Sequence, residues 1–306
     1  MISEQKLVTD LQSEDPGVRF AAWRQAGDAP ASAIPQLGKL AASERPGVAK
    51  AAREALAAMV HSVGKETGTG KRAAVVKGLV GLTAPASPLP VRVHAFRLLS
   101  HIAEEDSVAA IAQEIHNPEL VEEVVYCLER IPGKASVEAL LAAYEKAPDS
   151  FKPRILAALG HRRAPEAVPL CLEAMGSQSQ EIALAGVKAF GRIGREPAET
   201  RRFPAGDHFS PWEKIELLDS MLRYADAQAA EGSATEALAL YRIVLQREEE
   251  HWQCAAVTGI AKIGTAEAAA AILPLLDSPN PRVRITARNA WRQMAAGGRG
   301  SPRAGL

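Results

Sequence analysis

The chain of 306 residues has few aromatic side chains, 5% of the total, and three cysteines. Scarce aromatics with abundant alanine argue against a β-sheet protein, which draws on valine, isoleucine and tyrosine, and favour close packing of helix on helix. Three cysteines cannot all pair with one another, and each falls inside a predicted helix. We therefore expect small buried thiols in place of a disulfide framework.

Net charge and long apolar runs are also missing. The 36 basic and 36 acidic residues cancel, so the overall field gives no reason to expect strong attraction to nucleic acid or to an anionic membrane. No apolar run approaches the about 18 residues of a membrane-spanning helix. The first residues include Glu4, Lys6 and Asp10 and lack the apolar centre of a secretory signal. The sequence therefore predicts a cytoplasmic protein that does not enter membranes or bind nucleic acid.

What the sequence does contain is a repeat. Its clearest copy begins at Asn280 with the letters NPRVR and closes on an apolar residue at Trp291, and seven weaker copies align with it. The successive steps between the closing residues are 30, 43, 29, 31, 31, 70 and 31, so five of the seven are close to thirty. Such a period is typical of stacked repeats and not of a single catalytic core. The closing residues are Ala26, Leu56, Leu99, Leu128, Leu159, Phe190, Ile260 and Trp291.

Each repeat is predicted to hold a short helix, here called A, and a longer helix, here called B. Asn or Asp followed by Pro begins helix B in the clearest copies, because Asn and Asp cap helices and Pro suits the first turn. With the capping residue as position zero, apolar or small residues recur at positions three, seven, ten, eleven and fourteen. Neither helix can bury this stripe alone, so the repeats must stack. The sequence predicts an all-α fold, an α-solenoid in which antiparallel helix pairs stack into a right-handed superhelix.

The repeat resembles the HEAT repeat family, in the short bacterial form also found in phycobilisome-lyase-like proteins. The resemblance rests on the letters PRVRITA at Pro281–Ala287, on PVRVHA at Pro90–Ala95, and on repeats that end in Leu-Gly or Ile-Gly, as at Ile193 and Gly194. It implies a fold and a tendency to bind macromolecules, since one fold can serve many functions.

The domain prediction is one HEAT-like solenoid over residues 1–296. A hairpin inserted at about 210–247 resembles a tetratricopeptide repeat, with Gly232 at its turn and Met221 where that family usually has Trp. Residues 297–306 have little apolar content and are predicted to form a flexible tail.

A second stripe on helix B, at positions two, six, nine and thirteen, is the predicted binding groove, because B helices line the concave side in HEAT-like stacks. Position thirteen reads His101, Arg130, His161, Arg192 and Lys262, a basic ridge suited to an acidic peptide or protein. Cations near helix ends also complement the helix dipole, and this simpler explanation stays open. Tyr126 is the expected aromatic anchor. The predicted groove residues are His94, Arg97, His101, Glu123, Tyr126, Arg130, Arg154, His161, Lys188, Arg192 and Lys262.

These residues predict a non-catalytic, monomeric protein-binding scaffold without metal or cofactor. Deoxyhypusine hydroxylase, a HEAT-like enzyme, uses His-Glu pairs as iron ligands, and none of the seven histidines here precedes a Glu. His94 and His101 lie seven residues apart, about 10.5 Å along a helix, too far to chelate one metal ion. The alternative is an enzyme on the same fold, similar to a phycobilin lyase or to a DNA glycosylase.

Overall fold

A computed structural model describes residues 2–65, 69–195, 203–204 and 209–296. Within these ranges the chain forms seventeen α-helices and five short 3-10 helices, and it forms no β-strand. The predicted all-α solenoid class is confirmed. The predicted tail at 297–306 lies outside the described residues. The chain divides into two compact units, unit 1 (Met1–Ala158) and unit 2 (Leu159–Leu306), and the division falls inside a helix.

Unit 1 consists of alternating short and long helices in two layers. The B helices α2, α4, α6 and α8 contact one another in succession, and the A helices α3 and α5, and then α7 and α9, form the other layer. The bounds are α1 Glu4–Leu11, α2 Pro16–Arg24, α3 Ile34–Ala41, α4 Pro46–Val63, α5 Gly70–Leu82, α6 Leu89–Ile102, α7 Val108–Ala112, α8 Val121–Arg130 and α9 Ala135–Lys146, followed by α10 Lys152–His161 across the division.

Unit 2 continues the pattern of helix pairs. Helix α12 packs on α11 and α13, α13 pairs with α14 as a hairpin, and α15 packs on α13, α14 and α17. The bounds are α11 Val168–Met175, α12 Gln180–Ile193, α13 Pro211–Ala230, α14 Ala234–Leu245, α15 Glu250–Ile263, α16 Ala266–Ile272 and α17 Pro281–Ala296.

The hairpin of α13 and α14 occupies the segment in which the sequence predicts an insertion. Ser210 and Glu213 form a reciprocal capping box that starts α13. Gly232 has φ +89° at the turn between the two helices, a conformation that glycine adopts without steric cost. The tetratricopeptide likeness of this hairpin, and the single solenoid over residues 1–296, stay predictions.

The arginine that follows valine in the repeat motif ties helix B to the turn before it. The Arg19 guanidinium donates to the carbonyl oxygen of Ser13 at 2.6 Å, and the Arg284 guanidinium donates to that of Ser278 at 2.5 Å. Buried Arg92 donates in the same way to a carbonyl oxygen at the end of α5, at 2.8 Å. Helix ends leave backbone carbonyl oxygens without partners, and a charged donor satisfies them. The motif arginine is therefore a structural residue of the repeat.

Helix starts and ends differ from the sequence prediction where turn chemistry intervenes. Asn117 accepts a hydrogen bond from the backbone of Glu119 as a cap would, but α8 begins only at Val121. Helix α7 is short and ends at Ala112. In the part of the chain that the structure describes, no helix is both long enough and apolar enough to cross a bilayer.

Candidate functional site

Seven of the predicted groove residues lie in unit 1, and five of these line one cleft of about 550 Å³ between α6, α8 and α10. We call it the Tyr126 cleft, after the tyrosine whose surface is 40% exposed there. The structure thus brings together predicted residues that lie up to 57 positions apart in the sequence. The cleft is lined by Arg97, His101, Glu122, Glu123, Tyr126 and Arg154.

A second cleft of about 600 Å³ lies between α4 and α6 and contains the predicted residue His94. It shares Arg97 with the Tyr126 cleft, and its wall includes the apolar residues Leu89 and Val93. Burial lowers the pKa of His94 below its ordinary value of 6.5, and the nearby charge of Arg53 acts in the same direction. His94 is therefore a neutral, half-buried wall residue at neutral pH.

Two of the predicted cations of unit 1, Arg97 and Arg154, are paired with acids of neighbouring helices, which differs from a ridge of free positive charge. Arg97 contacts Glu123 at 2.8 Å. Arg154 contacts Glu122 at 3.2 Å and Glu129 at 3.0 Å. Each pair joins two successive B helices, so these charges cross-link the stack and also line the cleft.

Arg130 is held differently from the other cations. Its Nε donates to the backbone oxygen of Ser100 at 3.2 Å, and its guanidinium carbon lies 5.6 Å from the centroid of the Tyr126 ring. Within the described residues its two terminal nitrogens have no hydrogen-bond or ion-pair partner. The Arg130 guanidinium is therefore held by a backbone acceptor and an aromatic face, a cation–π contact.

The remaining predicted residues lie in unit 2. Lys188 contacts Glu216 at 2.8 Å, and its ammonium lies 5.8 Å from the ring centroid of exposed Trp212. Lys262 contacts Asp226 at 3.2 Å. His161 and Arg192 line a separate cavity of about 500 Å³.

Sequence reasoning missed the acidic partners Glu122, Glu129, Glu216 and Asp226. A signal for one kind of pair was available: a cation at position nine of one B helix meets an acid at position six of the next, as in Arg97 with Glu123. The other pairs depend on how far one helix slides along its neighbour. That register follows from packing and cannot be read from a single helix.

The thiols and other metal-binding side chains do not gather into a second site. Burial raises the pKa of Cys127 and of Cys171 to about 12. A buried, protonated thiol is a poor nucleophile and a poor metal ligand. In the described ranges, no three His, Cys, Asp or Glu residues are placed so as to hold one metal ion.

Comparisons with known proteins give a likeness of fold. No protein-family model and no curated protein matches the chain. The structure of human deoxyhypusine hydroxylase in complex with glycerol matches at 19% identity and a TM-score of 0.38, over 72% of this chain and 96% of that chain. A structure of Kap95p bound to RanGDP matches at 12% identity and a TM-score of 0.46, over 95% of this chain and 44% of that chain.

One prediction is corrected by these matches. The sequence predicts a chain that is not an enzyme, whereas the first of the two structures is an enzyme. The prediction that the chain lacks catalytic activity is contradicted by this match, and we do not retain it. The chain is similar in fold to both of these solved structures.

Proposed function

We propose that the protein binds an acidic segment of a partner protein at the Tyr126 cleft, with two main contact residues: Tyr126, which lines the cleft, and Arg130, which lies against the Tyr126 ring. The observation that carries this proposal is the arrangement of Arg130, whose guanidinium is fixed by Ser100 and by the Tyr126 ring while its terminal nitrogens stay free. Little side-chain entropy remains to be lost when a carboxylate binds such a group.

The exposed tyrosine supports binding of a polypeptide in preference to a free ion. Tyr and Arg are enriched among the residues that contribute most to protein interfaces. Beside Tyr126 the cleft is polar, while the neighbouring cleft offers Leu89 and Val93 for an apolar side chain. A partner segment with an acidic residue followed by an apolar one would match the polar cleft and the apolar wall of its neighbour.

The charge pairs of the cleft set a limit on the affinity. Arg97 and Arg154 already contact glutamates, so a partner carboxylate would have to compete for them. The Arg97 side chain is 64% exposed but that of Glu123 is 18% exposed, so an exchange of partner would leave a largely buried carboxylate unpaired. Arg130 needs no exchange at all.

The proposal predicts that Tyr126→Ala and Arg130→Gln both weaken binding of an acidic peptide. The probe is a short fluorescent peptide of Asp and Glu with one central Leu, compared with its Asn and Gln counterpart by fluorescence anisotropy. Loss of the aromatic anchor should cost about 2 kcal/mol of binding free energy. Loss of the charged hydrogen bonds of Arg130 should cost about 1.5 kcal/mol.

A matched control lies elsewhere in unit 1. In α2, the guanidinium carbon of Arg24 lies 5.6 Å from the ring of exposed Phe20, the same distance as in the Tyr126 pair. Neither residue lines the Tyr126 cleft or its neighbour. Phe20→Ala with Arg24→Gln should leave the affinity unchanged. A loss in this control as large as that in Tyr126→Ala or Arg130→Gln, or equal binding of the uncharged peptide, would refute the proposal.

A further inference from the structure

The cavity of unit 2 has a composition unlike that of the Tyr126 cleft. It measures about 500 Å³ and lies where the end of α10 meets α12 and α13. We call it the basic pocket, because its ionisable lining residues are three arginines and a histidine against one acid. These are His161, Arg163, Arg192, Arg223 and Asp226.

Two glycines bring the helix backbones close together at this pocket. A Cβ atom at Gly160 would lie 2.7 Å from the Cα of Ala189, and one at Gly191 would lie 2.6 Å from the backbone oxygen of Ser220. Both contacts are closer than real Cβ atoms allow, so only glycine permits this approach of α10 to α12 and of α12 to α13. The arginines therefore project from closely spaced backbones.

The formal charges of the basic pocket do not cancel. Arg223 contacts Asp219 at 2.6 Å. Asp226 accepts from Lys262 at 3.2 Å and from the Tyr241 hydroxyl at 2.8 Å, so its charge is already balanced.

Two guanidiniums remain without a counter-charge. Among the described residues, the side chains of Arg163 and Arg192 have neither an ion-pair nor a hydrogen-bond partner. The carbonyl ends of α10 and α12 offset part of their charge, about half a unit each. An excess of positive charge is left facing the pocket.

Arg163 occupies a backbone position that favours glycine. Its φ is +50°, and it is the one non-glycine residue with positive φ in the described chain. Its backbone N–H donates to the carbonyl oxygen of Gly160 at 3.0 Å, and the N–H of Ala164 donates to the carbonyl oxygen of Leu159 at 3.2 Å. These are the two hydrogen bonds of a Schellman motif at a helix end. The corresponding position of the next two repeats, four residues after the closing apolar residue, is Gly194 with φ +65° and Gly264 with φ +71°.

An arginine at a left-handed position carries a steric cost that glycine avoids. Complementing the helix dipole does not explain this cost, since a lysine or arginine in the last helical turn would do so without strain. Strained residues that persist in a structure often lie at binding sites. Arg163 is among the residues that line the basic pocket, so ligand binding there would account for the retained strain.

We infer that the basic pocket binds a phosphate monoester, of a small molecule or of a phosphorylated side chain. Such a group carries between about one and a half and two negative charges at neutral pH, which matches two unpaired guanidiniums better than a single carboxylate does. Arginine forks bind phosphate oxygens in pairs. The volume exceeds what a bare phosphate ion needs and falls in the range of small-ligand pockets, about 300–1,000 Å³. The inference concerns a different site from the Tyr126 cleft and does not depend on it.

The test is calorimetric titration of the intact protein with inorganic phosphate, and with acetate at matched ionic strength. Phosphate should bind and acetate should not. Arg192→Gln and Arg163→Asn should each weaken phosphate binding at least about tenfold, while Arg242→Gln, at an exposed position of α14, should have no effect. Asparagine tolerates positive φ, so the melting temperature of Arg163→Asn without phosphate should not fall. Absence of saturable phosphate binding, or unchanged binding in both pocket variants, would overturn the inference.

Two further ligands separate the possible sources of the phosphate. Glycerol phosphate represents a small-molecule ester, and a phosphoserine peptide represents a modified protein. Binding of one of them more tightly than inorganic phosphate identifies the source. Binding of neither overturns the assignment of a phosphate monoester.

Discussion

At the scale of single residues, backbone conformation and side-chain chemistry make opposing demands at the end of helix B. Gly194, Gly264 and Arg163 share a left-handed conformation at equivalent positions of three successive repeats. Two of these positions are occupied by glycine, which adopts this conformation without steric cost, and the third is occupied by an arginine. The local free energy of folding should therefore respond in opposite directions to substitutions at these places.

Gly194→Ala should destabilise the protein, and Arg163→Gly should stabilise it. An added Cβ at Gly194 would lie 2.3 Å from the Cβ of Ala227, in addition to the left-handed strain. We expect a loss of about 2 kcal/mol for Gly194→Ala. For Arg163→Gly, relief of strain exceeds the entropy cost of glycine and gives a gain of about 0.5 kcal/mol. Urea denaturation measures both, and a loss in each variant would contradict this account.

His94 should make the stability depend on pH. Burial lowers its pKa in the folded state, so the unfolded chain binds the additional proton first as the pH falls. The unfolding free energy therefore falls as the pH drops below the unfolded-state pKa of about 6.5. It stops falling once the pH is below the folded-state pKa. The His94→Gln variant should lose less unfolding free energy than the wild type between about pH 7.5 and about pH 5.5. The control is His101→Gln, on the same helix with its side chain in solvent; an equal change in both variants would contradict the assignment.

At the scale of helices, the arginine of the repeat motif joins each B helix to the turn that precedes it. Arg19 and Arg284 each donate to two backbone carbonyl oxygens of that turn. These bonds fix the angle at which the chain enters helix B. The motif is thereby explained by the fold, and its presence is no sign of a binding function.

Arg284→Ala should destabilise unit 2 more than Arg282→Ala does. Arg284 is half-buried and satisfies backbone carbonyl oxygens, so its loss should cost about 1.5 kcal/mol of unfolding free energy. Arg282 lies two residues away with a side chain 76% exposed, and its contact with Glu250 is a surface ion pair of little worth. Chemical denaturation of the two variants compares them directly. A larger loss for Arg282→Ala would refute the structural role of the motif arginine.

The helices could be predicted from the sequence because their signals are local. A stripe of apolar positions, an Asn-Pro cap and a glycine at the turn are each contained in one segment, and Gly232 lies at the turn as the sequence predicts. The face of the B helices followed from the same count of positions. Three residues of this predicted face, Arg97, Tyr126 and Arg154, line one cleft in the structure.

The partners of those residues could not be predicted in the same way. Glu129 meets Arg154 because two helices pack in a certain register, which depends on side-chain volumes along their whole contact. The left-handed conformation of Arg163 carries no sequence signal, because arginine is uncommon there and glycine would have marked the place. Both features arise from packing between repeats.

At the scale of the whole chain, charges cancel in total and also in local pairs. The 36 basic and 36 acidic residues leave no net charge, and within each unit many cations contact an acid of the neighbouring helix. A partner is therefore not attracted by a general field. The two binding sites that we propose both include arginines without an ion-pair partner among the described residues, Arg130 in unit 1 and Arg163 and Arg192 in unit 2.

The central claim is that Tyr126 contacts an acidic segment of a partner protein. The most direct measurement places a photoreactive phenylalanine analogue at position 126, and separately at position 20, in the full chain inside cells, and identifies the cross-linked peptides by mass spectrometry. Position 126 should yield a defined partner segment rich in Asp or Glu that is missing from the cross-links at position 20, and Arg130→Gln should reduce its yield. The same products at both positions, or a segment without acidic residues, would contradict the account.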